Sequence, residues 1–167
     1  MIILGIDPGT ATTGYGVIEK DKNIKAGGYK DVKYIAYGSI KTDPRFPEPE
    51  RLKKLHSEML KLITKYNPEI VAVESLYFFK NLKTALPVSQ AKGVILLAAA
   101  KKNIPVYELT PLQAKMAITG YGRAEKKQIQ KMIQTILHLK EIPKPDDAAD
   151  ALAIALACSS SESFLKS

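Results

Sequence analysis

Four acidic residues sit where an acid is hard to explain as ordinary structure. Asp7 ends the apolar run Ile2-Ile3-Leu4-Gly5-Ile6, and Glu74 ends the run Ile70-Val71-Ala72-Val73. Asp147 and Asp150 stand three apart in Asp-Ala-Ala-Asp-Ala-Leu-Ala, among small residues. Carboxylates gathered in one cleft repel one another without a counter-charge. Oxygen-only ligands suit hard divalent cations, and Mg2+ or Mn2+ binds through a few carboxylates plus water and substrate phosphate. Two such ions about 3.5–4 Å apart activate water and stabilise a leaving oxygen in phosphodiester hydrolysis. Each acid also has a plainer reading. Asp7 suits a turn ahead of Pro8-Gly9, and Glu74 could pair with a lysine at the cleft rim. Asp147, like its neighbour Asp146, suits a helix N-cap or first turn. Asp150 lies past the cap inside an alanine-rich face and is the hardest to assign to structure alone.

The elements that must position these acids can be read from periodicity. The first third is strand-like: Ile2–Ile6, Gly14–Ile18 and Tyr34–Ile40. Pro8-Gly9-Thr10 makes a turn, and the polar stretch 19–33 is a loop or long hairpin end. Short connections favour antiparallel pairing of these three strands. Leu52, Leu55, Met59, Leu60 and Ile63 recur at helical spacing, which predicts a helix over Pro49–Tyr66. Glu69–Val73, apolar after its first residue, suits a strand covered on both faces. A long helix over 84–102 carries the run Val94-Ile95-Leu96-Leu97-Ala98-Ala99, apolar all round, so one face packs on the sheet and another is free for a second subunit. Ile104–Leu109 predicts a short strand and Pro111–Ile118 a short helix ended by Gly120. Ile129, Met132, Ile133, Ile136 and Leu137 form a clean helical stripe, and Pro143 and Pro145 break the chain before a last helix starting near Asp146 or Asp147.

These elements predict an α/β fold: a five-stranded mixed sheet, three antiparallel strands then two parallel, flanked by helices. Asp7 and Glu74 then lie at carboxyl ends of strands, where open α/β sheets place their ligands. Asp147 and Asp150, at i and i+3, share one helical face. Ala148, Ala149 and Ala151 let that helix lie close to the sheet.

Composition sets the bounds. The 167 residues suffice for one domain, expected over 1–158, with the serine-rich stretch 159–167 as a fraying tail. There are 25 Lys+Arg against 17 Asp+Glu, a formal charge of +8, which points to a polyanionic partner, above all nucleic acid, or simply to a basic surface. Cys158 is the only cysteine, which excludes an internal disulfide and a thiolate zinc site, and a small buried hydrophobe is its expected role. His56 and His138 are expected to face solvent from amphipathic helices. No signal pattern and no membrane-length apolar run is present, so a reducing, cytoplasmic location is expected.

The chain resembles the bacterial RuvC family, the crossover junction endodeoxyribonucleases that resolve Holliday junctions. The similarity runs through Ile3-Leu4-Gly5-Ile6-Asp7-Pro8-Gly9, Thr13-Gly14-Tyr15-Gly16, Val73-Glu74 with its following aromatics, and Ser89-Gln90-Ala91-Lys92-Gly93-Val94. It continues through Gly120-Tyr121-Gly122-Arg123-Ala124-Glu125-Lys126-Lys127-Gln128-Ile129-Gln130 and Asp147-Ala148-Ala149-Asp150-Ala151-Leu152-Ala153. Any one segment is weak, but their order over nearly the whole chain is specific.

The resemblance implies an RNase H-like fold, a homodimer, and Mg2+-dependent nicking of two opposed strands at a four-way DNA junction during recombination and repair. It implies two Mg2+ ions per site, with Mn2+ as a substitute, held by Asp7, Glu74, Asp147 and Asp150. Asp146 is a departure, a second acid just before the motif; the register of Asp-Ala-Ala-Asp-Ala-Leu-Ala favours Asp147. The family carries an aromatic three residues after its catalytic Glu that contacts bases. Here that place is Tyr77, followed by Phe78 and Phe79, and which ring inserts stays open. Lys115 and Lys126 match basic positions near the family's active site; Lys80, Lys83 and Arg123 are expected backbone contacts. By analogy the helix holding Gln90-Ala91-Lys92-Gly93 forms the dimer interface, and the RuvA-RuvB branch-migration complex is the expected partner.

Two other classes compete. A phosphate-binding ATPase of the actin and sugar-kinase type would use Asp7-Pro8-Gly9-Thr10 as a phosphate loop, but the chain is too short for two duplicated domains and Asp147-Ala-Ala-Asp150 has no place in it. A catalytically silent junction binder would need only the dimer and the basic face, and gives no reason to keep four acids.

Overall fold

The structure, a computed structural model, describes residues 1–21, 28–75 and 82–161, and the side chains of 82–84 lie outside that description. Five strands, β1 (Ile2–Asp7), β2 (Thr12–Lys20), β3 (Val32–Lys41), β4 (Ile70–Glu74) and β5 (Val106–Leu109), form one sheet in the order β3-β2-β1-β4-β5. The first three pair antiparallel, and β4 and β5 join β1 in parallel. This is the mixed sheet expected from the punctuation of the chain. Observed strands run a few residues beyond the expected ones, because hairpin pairing carries β2 and β3 past their apolar centres into polar residues such as Lys20 and Lys41.

The helices are α1 (Glu48–Tyr66), α2 (Leu82–Ala100), α3 (Pro111–Thr119), α4 (Lys126–Ile136) and α5 (Asp146–Ser159). Alternation along each strand sends side chains to opposite faces, and both faces are covered. Leu4, Ile6, Val17, Val71 and Val73 pack with Leu55, Met59 and Ile63 of α1 and Ala91, Ile95 and Ala98 of α2. Ile3, Ile18 and Ala72 pack on the other face with α3, α4 and α5.

Helix α5 is the central piece of that second layer, and its approach to the sheet is set by glycine. Gly5 and Gly16 are cross-strand partners, and Gly14 pairs with Asp7. A Cβ on Gly16 would stand 2.8 Å from the Leu152 Cα, one on Gly5 2.7 Å from the Ala155 amide nitrogen, and one on Gly14 would overlap the Asp147 carbonyl. Three bare backbone positions thus form a trench, and the alanine-rich face of α5, buried from Ala148 to Ser159 except at Asp150, beds into it. The alanine spacing was legible in the sequence; the matching glycines identify which strands receive the helix.

Ser159, expected to open a fraying tail, belongs to α5. Ser159 is helical and buried, and its carbonyl accepts from the buried Lys20 Nζ, a cation at the helix C-terminus where the dipole favours one. Cys158 is buried and its thiol is pushed up to about 12 by burial, as suits a packing residue. The histidines depart from expectation. His56 is half-buried and its Nε2 is enclosed. His138 is exposed but stands beyond α4, at φ 51°.

Candidate active site

Parallel pairing of β1 and β4 puts Ile6 opposite Val73, so Asp7 and Glu74 are the next residues along two neighbouring strands. Both carboxylates emerge at the same sheet edge. Helix α5 crosses above them, and its bedding on Gly14, the cross-strand partner of Asp7, sets Asp147 and Asp150 over the same edge. The helix begins at Pro145, whose carbonyl accepts from the Ala148 amide at 3.0 Å, so Asp147 lies in the first turn and Asp150 in the next.

The electrostatics register a crowd of acids. Burial, then the charges of Glu74, Asp150 and Asp147, push Asp7 up to about 8 from 3.8. Burial and the Asp150 charge push Glu74 up to about 7 from 4.5, against a hydrogen bond from Asp7. Asp150 is raised chiefly by burial, opposed by Lys126. Without a counter-ion the site holds protons, which is the behaviour expected of carboxylates arranged for a cation.

No group of three or more His, Cys, Asp or Glu among the described residues closes into a ready-made metal cage. The donors are all oxygen, which excludes a zinc-type N/S set.

Two lysines face the acids. Lys126, the first residue of α4, reaches across to α5: Nζ is 3.0 Å from the Asp150 Oδ2 and 3.3 Å from the Asp146 Oδ2. Burial disfavours its charge, but these two acids outweigh it and hold its pKa above the ordinary lysine range. Lys115, half-buried on α3, lies near enough to lower Glu74. Helix α3 is fixed by a capping box: the Gln113 amide donates to Thr110 Oγ1 at 3.1 Å and the Thr110 amide to Gln113 Oε1 at 2.8 Å. Asp146 does not join the acids. Its side chain is 64% exposed, and it accepts from Gln130 Nε2 at 3.0 Å and pairs with Lys126, which hold its pKa low.

The remaining expected DNA contacts divide. Arg123 is exposed between α3 and α4. Tyr77, Phe78, Phe79 and Lys80 lie outside the described residues, as does the side chain of Lys83, whose backbone belongs to α2.

A third group was not found from sequence. Arg51 of α1 donates through Nη2 to the Thr10 carbonyl at 2.5 Å and through Nε to Thr42 Oγ1 at 3.2 Å, and Thr42 Oγ1 donates to the same carbonyl at 2.6 Å. This clamp holds the turn that follows Asp7. Its members lie 9 to 41 residues apart, and no local spacing signals the contact.

A mixed sheet with acids at the ends of its central parallel strands and a helix bearing two more acids above them defines a metal-dependent nuclease of RNase H-like architecture. The family model described as crossover junction endodeoxyribonuclease RuvC matches residues 3–158. The chain belongs to the RuvC family. It is 56% identical to the RuvC of Desulforamulus reducens and 52% identical to that of Halothermothrix orenii, each over 93% of this chain and about nine-tenths of the relative, 91% and 90% respectively. Among solved structures, Thermus thermophilus RuvC superposes with a TM-score of 0.84 at 38% identity. Its complex with Holliday junction substrate gives 0.86 at 39%, and both cover 94% of this chain and 92% of that one. The resolvase Ydc2 of yeast mitochondria, 18% identical with a TM-score of 0.67, shares the fold.

Proposed function

We propose that this chain is a crossover junction endodeoxyribonuclease that resolves Holliday junctions by paired nicking of two opposed strands. The observation that carries the reading is the placement of Asp7 and Glu74 at adjacent strand ends with Asp150 of α5 bedded over them, in a chain that matches the family over residues 3–158. The same geometry gives no support to a silent binder, which has no use for acids held at such electrostatic cost.

Asp7, Glu74, Asp147 and Asp150 would hold Mg2+, two ions per site, with Mn2+ as a substitute. Bound there, the metal supplies an activated water and stabilises the leaving oxygen of the scissile phosphate. The residues do the rest. Lys126 orients Asp150 and biases it toward its charged form against burial, and Lys115 biases Glu74 the same way. Both lysines also offer charge to a phosphate entering the cleft. Arg123, with Lys80, Lys83, Tyr77 and Phe78, would extend that surface along the DNA. Family resemblance supports a homodimer, whose two-fold axis would match that of the junction, and the RuvA-RuvB complex as a partner. None of the helices among the described residues is long and apolar enough to cross a membrane, and the cytoplasm is the compartment we propose.

The test is cleavage of a mobile synthetic four-way junction with Mg2+ against EDTA, with Asp7→Asn and Asp150→Asn beside the unaltered protein. Symmetric nicks that need both metal and acids, with binding retained in the variants, support the reading. Binding without cleavage under any metal sinks it in favour of a silent binder.

A further inference from the structure

The segment joining α3 to α4 carries an exposed aromatic ring that the proposed chemistry leaves unused. Tyr121 is 58% exposed, and Leu112 and Met116 of α3, which its chain neighbour Gly122 lies against, are 59% and 49% exposed. Leu112 and Met116 are one helical turn apart, and Gly122 approaches both so closely that an added Cβ would collide with the Leu112 side chain. Large apolar groups gathered in this way on a charged surface mark a contact site more often than scattered single ones do.

The ring is displayed on a rigid mount. Thr119 Oγ1 accepts from the Tyr121 amide at 3.1 Å and donates to the Tyr121 carbonyl at 2.9 Å. Gly120 turns the chain at φ 68°, and the Ala124 amide closes a turn onto the Tyr121 carbonyl at 3.1 Å. A side chain held by its backbone on both sides loses little further freedom when it binds.

Charge and position identify the occupant. Between Thr110 and Lys127 the chain has Lys115, Arg123, Lys126 and Lys127 against one acid, Glu125. Lys115 lies near enough to lower Glu74 and Lys126 pairs with Asp150, so the segment is flanked by two lysines that face the acid cluster. Tyr121 is five chain steps from Lys126, a reach of at most about 18 Å, or roughly five stacked nucleotides at 3.4 Å each. An aromatic face in a predominantly basic frame is suited to stack on a nucleobase while the lysines hold its backbone.

We propose that Tyr121 is a base-stacking site for the DNA bound at this active site, engaging a base left unpaired or accessible near the crossover. The inference rests on the junction-nuclease reading and adds to it a DNA contact carried by the segment between α3 and α4.

The test is binding in Ca2+ or EDTA, so that no cleavage intervenes, to a four-way junction and to a linear duplex of the same sequence. The proteins are the unaltered chain, Tyr121→Ala and Tyr121→Phe, and the junction carries 2-aminopurine at successive positions near the crossover. Tyr121→Ala should bind the junction about tenfold or more weakly, the effect of losing one stacked base, with duplex binding unchanged. It should also lose fluorescence quenching at one or two positions, and Tyr121→Phe should restore both. The exposed ring holds no core together, so the folded fraction should be unaffected. Junction affinity and quenching equal to those of the unaltered chain overturn the inference, as does an equal loss on duplex and junction, or a change in oligomeric state in Tyr121→Ala that would make the patch a protein interface. Failure of the unaltered chain to bind the junction would overturn the junction reading itself.

Discussion

Lys126 Nζ stands between two aspartates of α5, 3.0 Å from the Asp150 Oδ2 and 3.3 Å from the Asp146 Oδ2. One of these acids belongs to the site and the other faces solvent, so Lys126 links the catalytic cleft to a surface anchor. The second aspartate ahead of Asp-Ala-Ala-Asp therefore acts on the lysine. Asp146→Asn should keep metal-dependent cleavage with a loss of only a few-fold, whereas Asp147→Asn should remove it. Single-turnover nicking of a junction checks this; if Asp146→Asn were as inactive as Asp147→Asn, the assignment of the acids would be off by one.

Lys126 itself has a clear electrostatic consequence. Its charge lowers Asp7, Glu74 and Asp150, each of which burial otherwise raises. Removing that charge makes all three harder to ionise. Lys126→Ala should slow cleavage by about a hundredfold near neutral pH, comparable to losing one charge-stabilising donor, and the acid limb of the pH–rate profile should move to higher pH. Lys126→Met should behave alike. An unmoved acid limb would show that the lysine contacts only DNA.

Asp7 predicts how the metal-free fold responds to pH. Its pKa rises from 3.8 to about 8 on folding, so the folded state holds this proton more tightly than the unfolded chain does. The stabilisation is complete below about pH 4 and is lost as pH rises through about 8. In EDTA at pH 8.5, Asp7→Asn, which never ionises, should melt above the unaltered protein by about 5 °C. At pH 4 the two should coincide. Adding Mg2+ at pH 8.5 should raise the melting temperature of the unaltered protein and leave the variant nearly unchanged. A variant that melts lower at pH 8.5 without metal would contradict this.

The glycine trench yields a steric prediction. A methyl group at Gly14 would overlap the Asp147 carbonyl, which is backbone and cannot swing aside. Gly14→Ala must lift the start of α5 or bend β2, costing about 1–3 kcal/mol. Because Asp147 rides on the displaced carbonyl, cleavage should fall more than stability does. Urea unfolding and junction nicking on the same preparations separate the two effects, and a fully active Gly14→Ala would show that α5 does not set the acids.

Much of this arrangement was legible in the chain because it is written locally. Apolar runs ending in Asp7 and Glu74 announce two strands and their ligand edge, and the three-residue spacing of Asp147 and Asp150 announces a helical face. What stayed hidden is written across distance. Gly5, Gly14 and Gly16 fall inside expected strands without an evident role until α5, more than a hundred residues later, is seen to need their bareness. Asp146 reads as a cap or a ligand until α4 delivers Lys126. His56 has the spacing of a solvent-facing residue, yet it is half-buried with its Nε2 enclosed. Helix periodicity tells which residues share a face but not which faces find partners.

Arg51 is the furthest such case and gives the last prediction. Its guanidinium spans the Thr10 carbonyl and the Thr42 hydroxyl, tying the turn after Asp7 to both β3 and α1. Thr42 reinforces the tie through Oγ1 to Thr10 and through its amide to the Ala11 carbonyl at 2.9 Å. Only a planar fork reaches both acceptors; a lysine supplies the charge but one contact at a time. Arg51→Ala should therefore lower the cleavage rate about tenfold or more through misplacement of Asp7, with junction affinity nearly intact. Arg51→Lys should recover part of that rate. Arg51 touches neither acid, so the pH profile should keep its shape while its height falls, the reverse of what Lys126→Ala should show. If Arg51→Ala instead weakened binding and left the rate of the bound complex unchanged, the clamp would be a DNA contact and Asp7 would owe its position to β1 and β4 alone.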